Sequence, residues 1–234
     1  MKKIVFLTGA GMSVESGLST FRGSGGMWNE YSIEDVASIE GYERNPSLVL
    51  EFYNKRRKEL LDVNPNEGHR LIASLERDYN VVVVTQNVDD LHERAGSSSV
   101  IHLHGELMKA TSTAAPNNLN YVRRLTPDNL EIAIGDKADD GSQLRPYIVW
   151  FGEAVPMMSD AIDELRDADG FVIIGTSLNV YPAAGLLNYV PAGVPVYLID
   201  PNDVPVHGTR WLTVIRSGAS EGMRKLCEIL ADEK

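Results

Sequence analysis

Four short runs of β-branched and aromatic residues punctuate the chain: IVFL (4–7), VVVV (81–84), FVII (171–174) and VYLI (196–199). Each is too short for a helix and carries no polar face, so each reads as a strand buried on both sides of a parallel sheet. Between and after them the apolar positions recur at helical spacing, in SLVLEFYNKRRKELLD (47–62), HRLIASLERD (69–78), SDAIDELRDAD (159–169) and SEGMRKLCEILADE (220–233). Ser159 and Ser220 are N-cap candidates for the last two. Strands alternating with helices predict an α/β fold with a doubly wound parallel sheet. Residues 107–147 break this rhythm with Thr, Ala, Asn and Asp and with turn signals at Pro116-Asn117 and Asp140-Gly141, and they predict a small inserted lobe.

Every strand-like run ends in a polar cluster, TGAG, TQNVDD, GTSLN and DPND in turn. Ligands gather at the carboxyl ends of parallel strands, so the four clusters predict a single site. Gly9-Ala10-Gly11 is a turn of the kind that brings backbone N–H groups to a pyrophosphate. A dinucleotide fingerprint would add a third glycine where Val14 stands, and an acid about 20 residues on at the end of a second strand. Glu30 and Glu34 follow a glycine-rich segment instead, whereas Asp200 does close a strand and can hold a ribose hydroxyl. The pattern keeps a nucleotide and argues against simple hydride transfer. Gln86, Asn87 and Asp89 follow VVVV and offer the donors and acceptors a carboxamide needs, although Asn87 or Asp89 reads equally well as the N-cap of a helix around LHERA. In VIHLHGEL, His102 and His104 stand two apart, as metal ligands on one strand face would. No third ligand is evident near them, so no zinc is expected there. A single His beside a glycine suits a general base near neutral pH.

Composition narrows the partners. The 234 residues, 43% of them hydrophobic, suffice for one large domain or one domain with a subordinate lobe. A net charge of -11 argues against binding a nucleic-acid backbone or an anionic membrane surface. The apolar run after MKK spans only Ile4 to Leu7, short of the roughly 7–15 residues of a signal peptide, and no window approaches the roughly 20 of a membrane span. The single cysteine, Cys227, excludes a disulfide framework and a multi-cysteine zinc site, and a reducing cytoplasm is expected.

Taken in order, GAGMSVESGLSTFRG, TQNVDDLHERAG, HLHGEL, LRPYIVWFGE and GTSLNVYPAAGL resemble the sirtuin family of NAD-dependent protein-lysine deacylases over essentially the whole chain. The resemblance implies a Rossmann-type large lobe (about 1–27, 79–106 and 148–234) and a small lobe (about 28–78 and 107–147). It implies NAD as cofactor, held by Gly9, Ala10, Gly11, Ser16, Gly17, Thr20, Phe21, Arg22 and Trp28 from the first loop. Phe21 and Arg22 would fold over the nicotinamide ribose, which accounts for the missing third glycine. Ala10, Asn87 and Asp89 would line the nicotinamide pocket, and Gln86 would reach the ribose. Gly175, Thr176 and Ser177 would hold phosphate and adenosine, with Asp200, Pro201, Asn202 and Ala219 at the adenosine end. Many members carry Asn where this chain has Asp200. His104 would take a proton from a ribose hydroxyl once the acyl oxygen of a modified lysine has displaced nicotinamide, with Asn87 as its catalytic companion. The products implied are free lysine, nicotinamide and O-acyl-ADP-ribose. Val149, Phe151, Gly152 and Glu153 match the edge where an acylated peptide would add as a strand.

Tyr53 and Arg56 stand three apart on one helical face. They match the branch of the family that removes succinyl or malonyl groups, in which Arg and Tyr grip the distal carboxylate. Ser19-Thr20 agrees, standing where many deacetylases carry Pro-Asp. Lys55 to Lys58 also reads as a solvated basic face. A plain deacetylase, a mono-ADP-ribosyltransferase and a non-catalytic NAD sensor are the alternatives. The family's four zinc cysteines are missing: 107–147 contains neither Cys nor His. The expected lobe is therefore zinc-free and held by packing of Leu119, Tyr121, Val122, Leu125, Leu130, Ile132 and Ile134. Acylated proteins or peptides are the expected partners, and a monomer would suffice.

Overall fold

The computed structural model describes residues 1–19, 31–206 and 211–232. Six parallel strands form the main sheet: β1 (Lys3–Thr8), β2 (Asn80–Thr85), β3 (Val100–His102), β7 (Gly170–Ile174), β8 (Val196–Ile199) and β9 (Leu212–Ile215). Their order across the sheet is β3-β2-β1-β7-β8-β9. The chain winds outward from β1 in one direction and returns to β7 to wind outward in the other. The crevice between the tips of β1 and β7 is thus a topological switch point, where a ligand can enter between diverging loops. All four strands expected from the sequence are present. The edge strand β3 falls in the strand-like run VIHLHGEL but is only three residues long, whereas the edge strand β9 was not anticipated, because it is half exposed with little contrast between its faces.

The alternation of side chains along each strand divides the core. Ile4, Phe6, Val83, Val172 and Ile199 face α4 (Glu67–Ser74) and α7 (Ala219–Asp232) through Ile72, Met223 and Leu226. Val5, Leu7, Val84, Phe171 and Leu198 face α6 (Met158–Leu165) and the short helix over Ala183–Tyr189. Neither expected serine cap forms. α6 begins after Met157, with Ser159 inside its first turn, and Ser220 lies inside α7, its hydroxyl accepting from the Gly68 N–H at 3.3 Å.

A third cluster lies apart from the parallel sheet. The antiparallel strands β4 (Gly105–Ser112), β5 (Arg123–Arg124) and β6 (Leu144–Ile148), ordered β5-β4-β6, pack with α1 (Ile33–Val36), α2 (Ile39–Arg44) and α3 (Pro46–Leu61) around Val36, Tyr42, Val49, Phe52, Tyr53, Leu107, Leu144 and Trp150. α3 is started by Asn45, whose Oδ1 accepts from the Leu48 N–H, with Pro46 at the first helical position. Of the residues expected to hold the 107–147 segment, Leu125, Leu130 and Ile132 are buried, whereas Leu119 and Ile134 are 70% and 56% exposed. Side-chain hydrogen bonds supply what packing does not. Asn54 brackets Ile132, accepting from its N–H and donating to its carbonyl at 3.0 Å each, and Arg57 Nε donates to the Leu130 carbonyl at 2.8 Å. Among the described residues, no helix is long and apolar enough to cross a membrane.

Candidate active site

The tips of β1 and β7 lock together through glycine. The Gly9 and Gly11 N–H groups donate to the carbonyls of Ile174 and Gly175, both at 2.9 Å. A Cβ on Gly11 would stand 2.6 Å from Gly175 Cα, and one on Gly175, whose φ is +61°, would stand 2.4 Å from Met12 N. The close approach that a third glycine gives the dinucleotide fingerprint is here supplied from β7. This corrects the expectation that the N–H groups of Gly9 and Gly11 are offered to a pyrophosphate: they are spent on the interlock.

Below that seam a cavity of about 580 Å³ runs from the strand tips toward α3, within the size range of small-molecule sites. It collects Gly9, Ala10, Gly11, Gln86, Asn87, His104, Gly175, Thr176, Ser177, Asp200, Pro201, Asn202 and Ala219, together with Tyr53, Arg56, Val149, Phe151, Gly152 and Glu153. Thr20, Phe21, Arg22 and Trp28 lie outside the described residues. Ser16 and Gly17 do not line the cavity; Ser16 Oγ instead accepts from Asn66 Nδ2 at 3.1 Å.

Asn87 is fixed by groups that leave its amide no choice of orientation. Its Nδ2 donates to the Gly9 carbonyl at 3.0 Å and to Ser13 Oγ at 3.2 Å, and its N–H donates to Thr85 Oγ1 at 3.0 Å. A carbonyl can only accept, so Oδ1 is the end left without a partner among the described residues, on a buried side chain at the cavity wall. Asp89 does not line the cavity as expected. It stands one layer back, where Oδ2 accepts from Ser13 Oγ at 2.9 Å and Oδ1 from the Leu91 N–H at 3.2 Å, at the start of α5 (Leu91–Ala95). Burial raises its pKa despite those two donors. Ser13, which sequence reasoning missed, thus relays Asp89 to Asn87; its only signal was its place in the first loop.

His104 faces the cavity with its tautomer set. Nδ1 lies 3.0 Å from the Gln86 carbonyl, so it carries the hydrogen and Nε2 keeps the lone pair. Burial lowers the His104 pKa, opposed by the Gln86 hydrogen bond, and the ring is neutral at neutral pH. Gln86 Nε2 reaches across to Thr176 Oγ1 at 2.9 Å and joins the tips of β2 and β7. His102 and His104 do not share a strand face, because β3 ends at His102 and the chain turns before β4. His102 points away, with Glu93 and Glu106 bringing ligating atoms within 4.8 Å of one another and of its ring. These are ion pairs: His102 Nε2 lies 2.7 Å from Glu93 Oε1, and Lys109 Nζ 2.6 Å from Glu106 Oε1.

At the other end of the cavity, Tyr53 Oη accepts from Trp150 Nε1 at 3.1 Å, which leaves the phenol hydrogen to donate. Burial pushes the Tyr53 pKa up to about 12, so it stays a phenol. Arg56 is half-buried on the cavity wall and makes no hydrogen bond or ion pair with the described residues. Burial lowers its pKa, partly offset by Glu59, Tyr53 and Asp89. The run expected as one basic face therefore splits: Arg57 is fully buried and Lys58 pairs with Glu131 at 2.5 Å. Residues 149–153 are less of a free edge than expected. The Val149 and Phe151 N–H groups donate to the carbonyls of His104 and Ala37, and Glu153 N–H closes a turn on Trp150. The Glu153 carboxylate is committed to Arg145, at 2.6 and 2.9 Å, and to the Trp150 N–H. Phe151 also bridges Ser38 in parallel register, so among the described residues Gly152 and the Val149 carbonyl are what this segment has left to offer.

Residues 9–182 match the Sir2 family. The chain is 60% identical over 230 residues to an NAD-dependent protein deacylase of Bacteroides thetaiotaomicron, covering 98% of each chain. It is 48% identical over 226 residues to one of Helicobacter pylori, covering 97% of this chain and 96% of the other. Among solved structures, a Sir2 homologue in complex with NAD superposes with a TM-score of 0.86 at 38% identity, covering 99% of this chain and 90% of the other. A Sir2–p53 peptide–NAD+ complex superposes with a TM-score of 0.76 at 28% identity, covering 97% and 93%.

Proposed function

The chain belongs to the Sir2 family and is an NAD-dependent protein deacylase, and from that premise we propose that it favours lysine side chains carrying acidic acyl groups, succinyl or malonyl. The observation that carries this reading is Arg56, a half-buried guanidinium without a hydrogen-bond or ion-pair partner among the described residues, beside the Tyr53 hydroxyl and in the same cavity as His104. Removing a cation from water costs free energy that an anion recovers, and a guanidinium with a neighbouring O–H donor matches a carboxylate. An acetyl group brings no such charge.

The residues present fit NAD. The interlocked glycines hold the two loop tips at close approach, and Asn87, its Nδ2 already committed, turns toward the cavity an amide oxygen that accepts from none of the described residues, the kind of acceptor a carboxamide N–H seeks. Bound NAD would supply a ribose carbon activated by the departure of nicotinamide. Asn87 would orient the carboxamide, and Asp200, buried with Oδ1 accepting from the Asn202 N–H at 2.8 Å, would present its remaining oxygen at the adenosine end. Ile33, Phe52, Val88 and Ile148 line the cavity with apolar surface that displaces water. His104, neutral with its Nε2 lone pair free, would take the proton of a ribose hydroxyl; its lowered pKa keeps that lone pair available below the ordinary imidazole range. Peptide substrates would be read largely through backbone, at Gly152 and the Val149 carbonyl.

We further propose that the antiparallel lobe needs no metal. Ser112 Oγ donates to Asp140, meets Ser142 Oγ at 2.9 Å, and accepts from the N–H groups of Ala114 and Ala115 at 3.1 and 3.0 Å. This gathers the lobe's loops around one hydroxyl. Stoichiometric zinc in the purified protein would contradict it. The single unpaired cysteine suits a reducing compartment such as the cytoplasm. Mass spectrometry of matched acyl-lysine peptides with and without NAD tests the main reading: succinyl or malonyl peptides turn over faster than acetyl peptides, and equal turnover makes the protein a plain deacetylase.

A further inference from the structure

Behind the cavity wall, His102 sits between two groups that accept hydrogen bonds. Its Nδ1 lies 3.1 Å from the main-chain carbonyl of Asn87 and its Nε2 lies 2.7 Å from Glu93 Oε1. A neutral imidazole owns one N–H and satisfies one of them; an imidazolium satisfies both. We propose that His102 is a positioning residue, held as an imidazolium by Glu93, that latches the main chain of Asn87 in the cofactor pocket, and that loss of its proton releases the latch.

The surroundings favour the charge. The ring is 8% exposed. Glu93 and His92 face it from α5, Asp89 from the loop before α5, and Glu106 from β4, with Lys109 paired to Glu106. Burial alone would discharge the ring, but the Glu93 hydrogen bond and charge, then Glu106 and the Asn87 carbonyl, outweigh it and leave the pKa raised. Glu93 is correspondingly lowered: burial pushes it up, but the His102 hydrogen bond and charge, with Lys109, together outweigh it.

When one proton leaves, the other stays where it is held more strongly. A bond to a carboxylate is charge-assisted and a bond to a neutral carbonyl is not, so the remaining hydrogen sits on Nε2 toward Glu93. Nδ1 then turns a lone pair on the Asn87 carbonyl oxygen, and attraction becomes repulsion at the residue whose Nδ2 bonds to Gly9 and Ser13 aim Oδ1 into the cavity. Cofactor affinity should therefore weaken on the alkaline side of the His102 titration. Proton uptake by His104, whose pKa is lowered, limits activity on the acid side instead.

The inference rests on the reading of Asn87 as a cofactor-pocket residue. The test is calorimetric binding of NAD to the intact protein between pH 6 and pH 10, in parallel with histidine ring-nitrogen NMR, for wild type, Glu93→Gln and His102→Gln. Thermal melts at each pH identify folded samples. Both ring nitrogens of His102 should be protonated at pH 7, and the NAD Kd should rise roughly tenfold, the worth of one buried hydrogen bond, at the pH where the ring loses its proton. Glu93→Gln should move both events to lower pH by about one unit or more, since a nearby opposite charge is worth that much. His102→Gln donates without titrating and should abolish the pH step. A wild type that binds no NAD at any pH overturns the reading of the cavity and the latch with it. One that binds equally well on both sides of the His102 titration, or a step that Glu93→Gln leaves in place, overturns the latch alone.

Discussion

The two ends of the cavity are built from different materials. At the strand tips, backbone meets backbone: Gly9, Gly11 and Gly175 approach closer than any side chain allows, and Asn87 is held by Gly9, Ser13 and Thr85. Near α3, side chains do the work. Tyr53 leans on Trp150, and Arg56 projects without a partner among the described residues. A surface made of interlocked main chain cannot change one residue at a time, whereas a guanidinium on a helix face can be exchanged without disturbing its neighbours. On the proposed reading the strand tips, as the cofactor end, are fixed in chemistry, and the α3 end is where acyl specificity can vary on the same scaffold.

Arg56 and Arg57 repeat that contrast one residue apart. Arg57 is fully buried, its Nε on the Leu130 carbonyl and its Nη2 on Asn54, and burial pushes its pKa down to about 10. It holds the antiparallel lobe, whereas Arg56 lines the cavity.

Four substitutions or conditions would break or sharpen this contrast, in falling order of effect. His104→Ala should cost about 10²–10⁴-fold in kcat/KM whatever the acyl group, the usual worth of a general base, and steady-state kinetics on two acyl peptides would show equal losses. Next comes acid. His69 is fully buried and burial pushes its pKa down to about 4, with His92 well below its ordinary value for the same reason. Both are neutral in the fold and protonate on unfolding, so stability present above pH 6.5 is lost as pH falls toward 4. His69 alone accounts for about 3 kcal/mol of that, at 1.36 kcal/mol per pKa unit. Asp89, whose pKa burial raises, gains stability in the same direction of pH and makes the net slope shallower. Urea unfolding at pH 7 and pH 5 measures it. Arg57→Leu should destabilise by about 1–3 kcal/mol, because the Leu130 carbonyl loses its buried donor, while acyl preference stays as in wild type. Ser112→Ala should cost about 1–2 kcal/mol through the lost hub at Asp140, Ala114 and Ala115, read as a lowered Tm with kcat/KM unaltered.

The sequence made much of this legible, but unevenly. The runs at 4–7, 81–84, 171–174 and 196–199 announce buried strands because β-branched residues without a polar face have no other home, and the polar ends of those runs do converge. Helical spacing placed Tyr53 and Arg56 together. It could not place Arg57, whose burial depends on the Leu130 carbonyl, which arrives from a distant loop. The third glycine is absent beside Gly9 and Gly11 and stands instead at Gly175, just past β7, since close packing can be completed by a residue remote in the chain. Leu119 and Ile134 were assigned to the lobe's interior for being apolar, whereas Asn54, Arg57 and Ser112 secure those loops with hydrogen bonds. Asp89 has the right chemistry one layer too deep, because Ser13 takes the place in front of it.

The account's central claim is that Arg56 selects the acyl group while the strand tips perform the chemistry. The most direct measurement is the ratio of kcat/KM for a succinyl-lysine peptide to that for the matched acetyl-lysine peptide, in wild type and in Arg56→Met. The account predicts a ratio well above one in wild type that falls by about 10–100-fold in the variant, the worth of a hydrogen bond to a charged group, with the acetyl value changing far less. A wild-type ratio near one, or equal losses on both peptides, would contradict it.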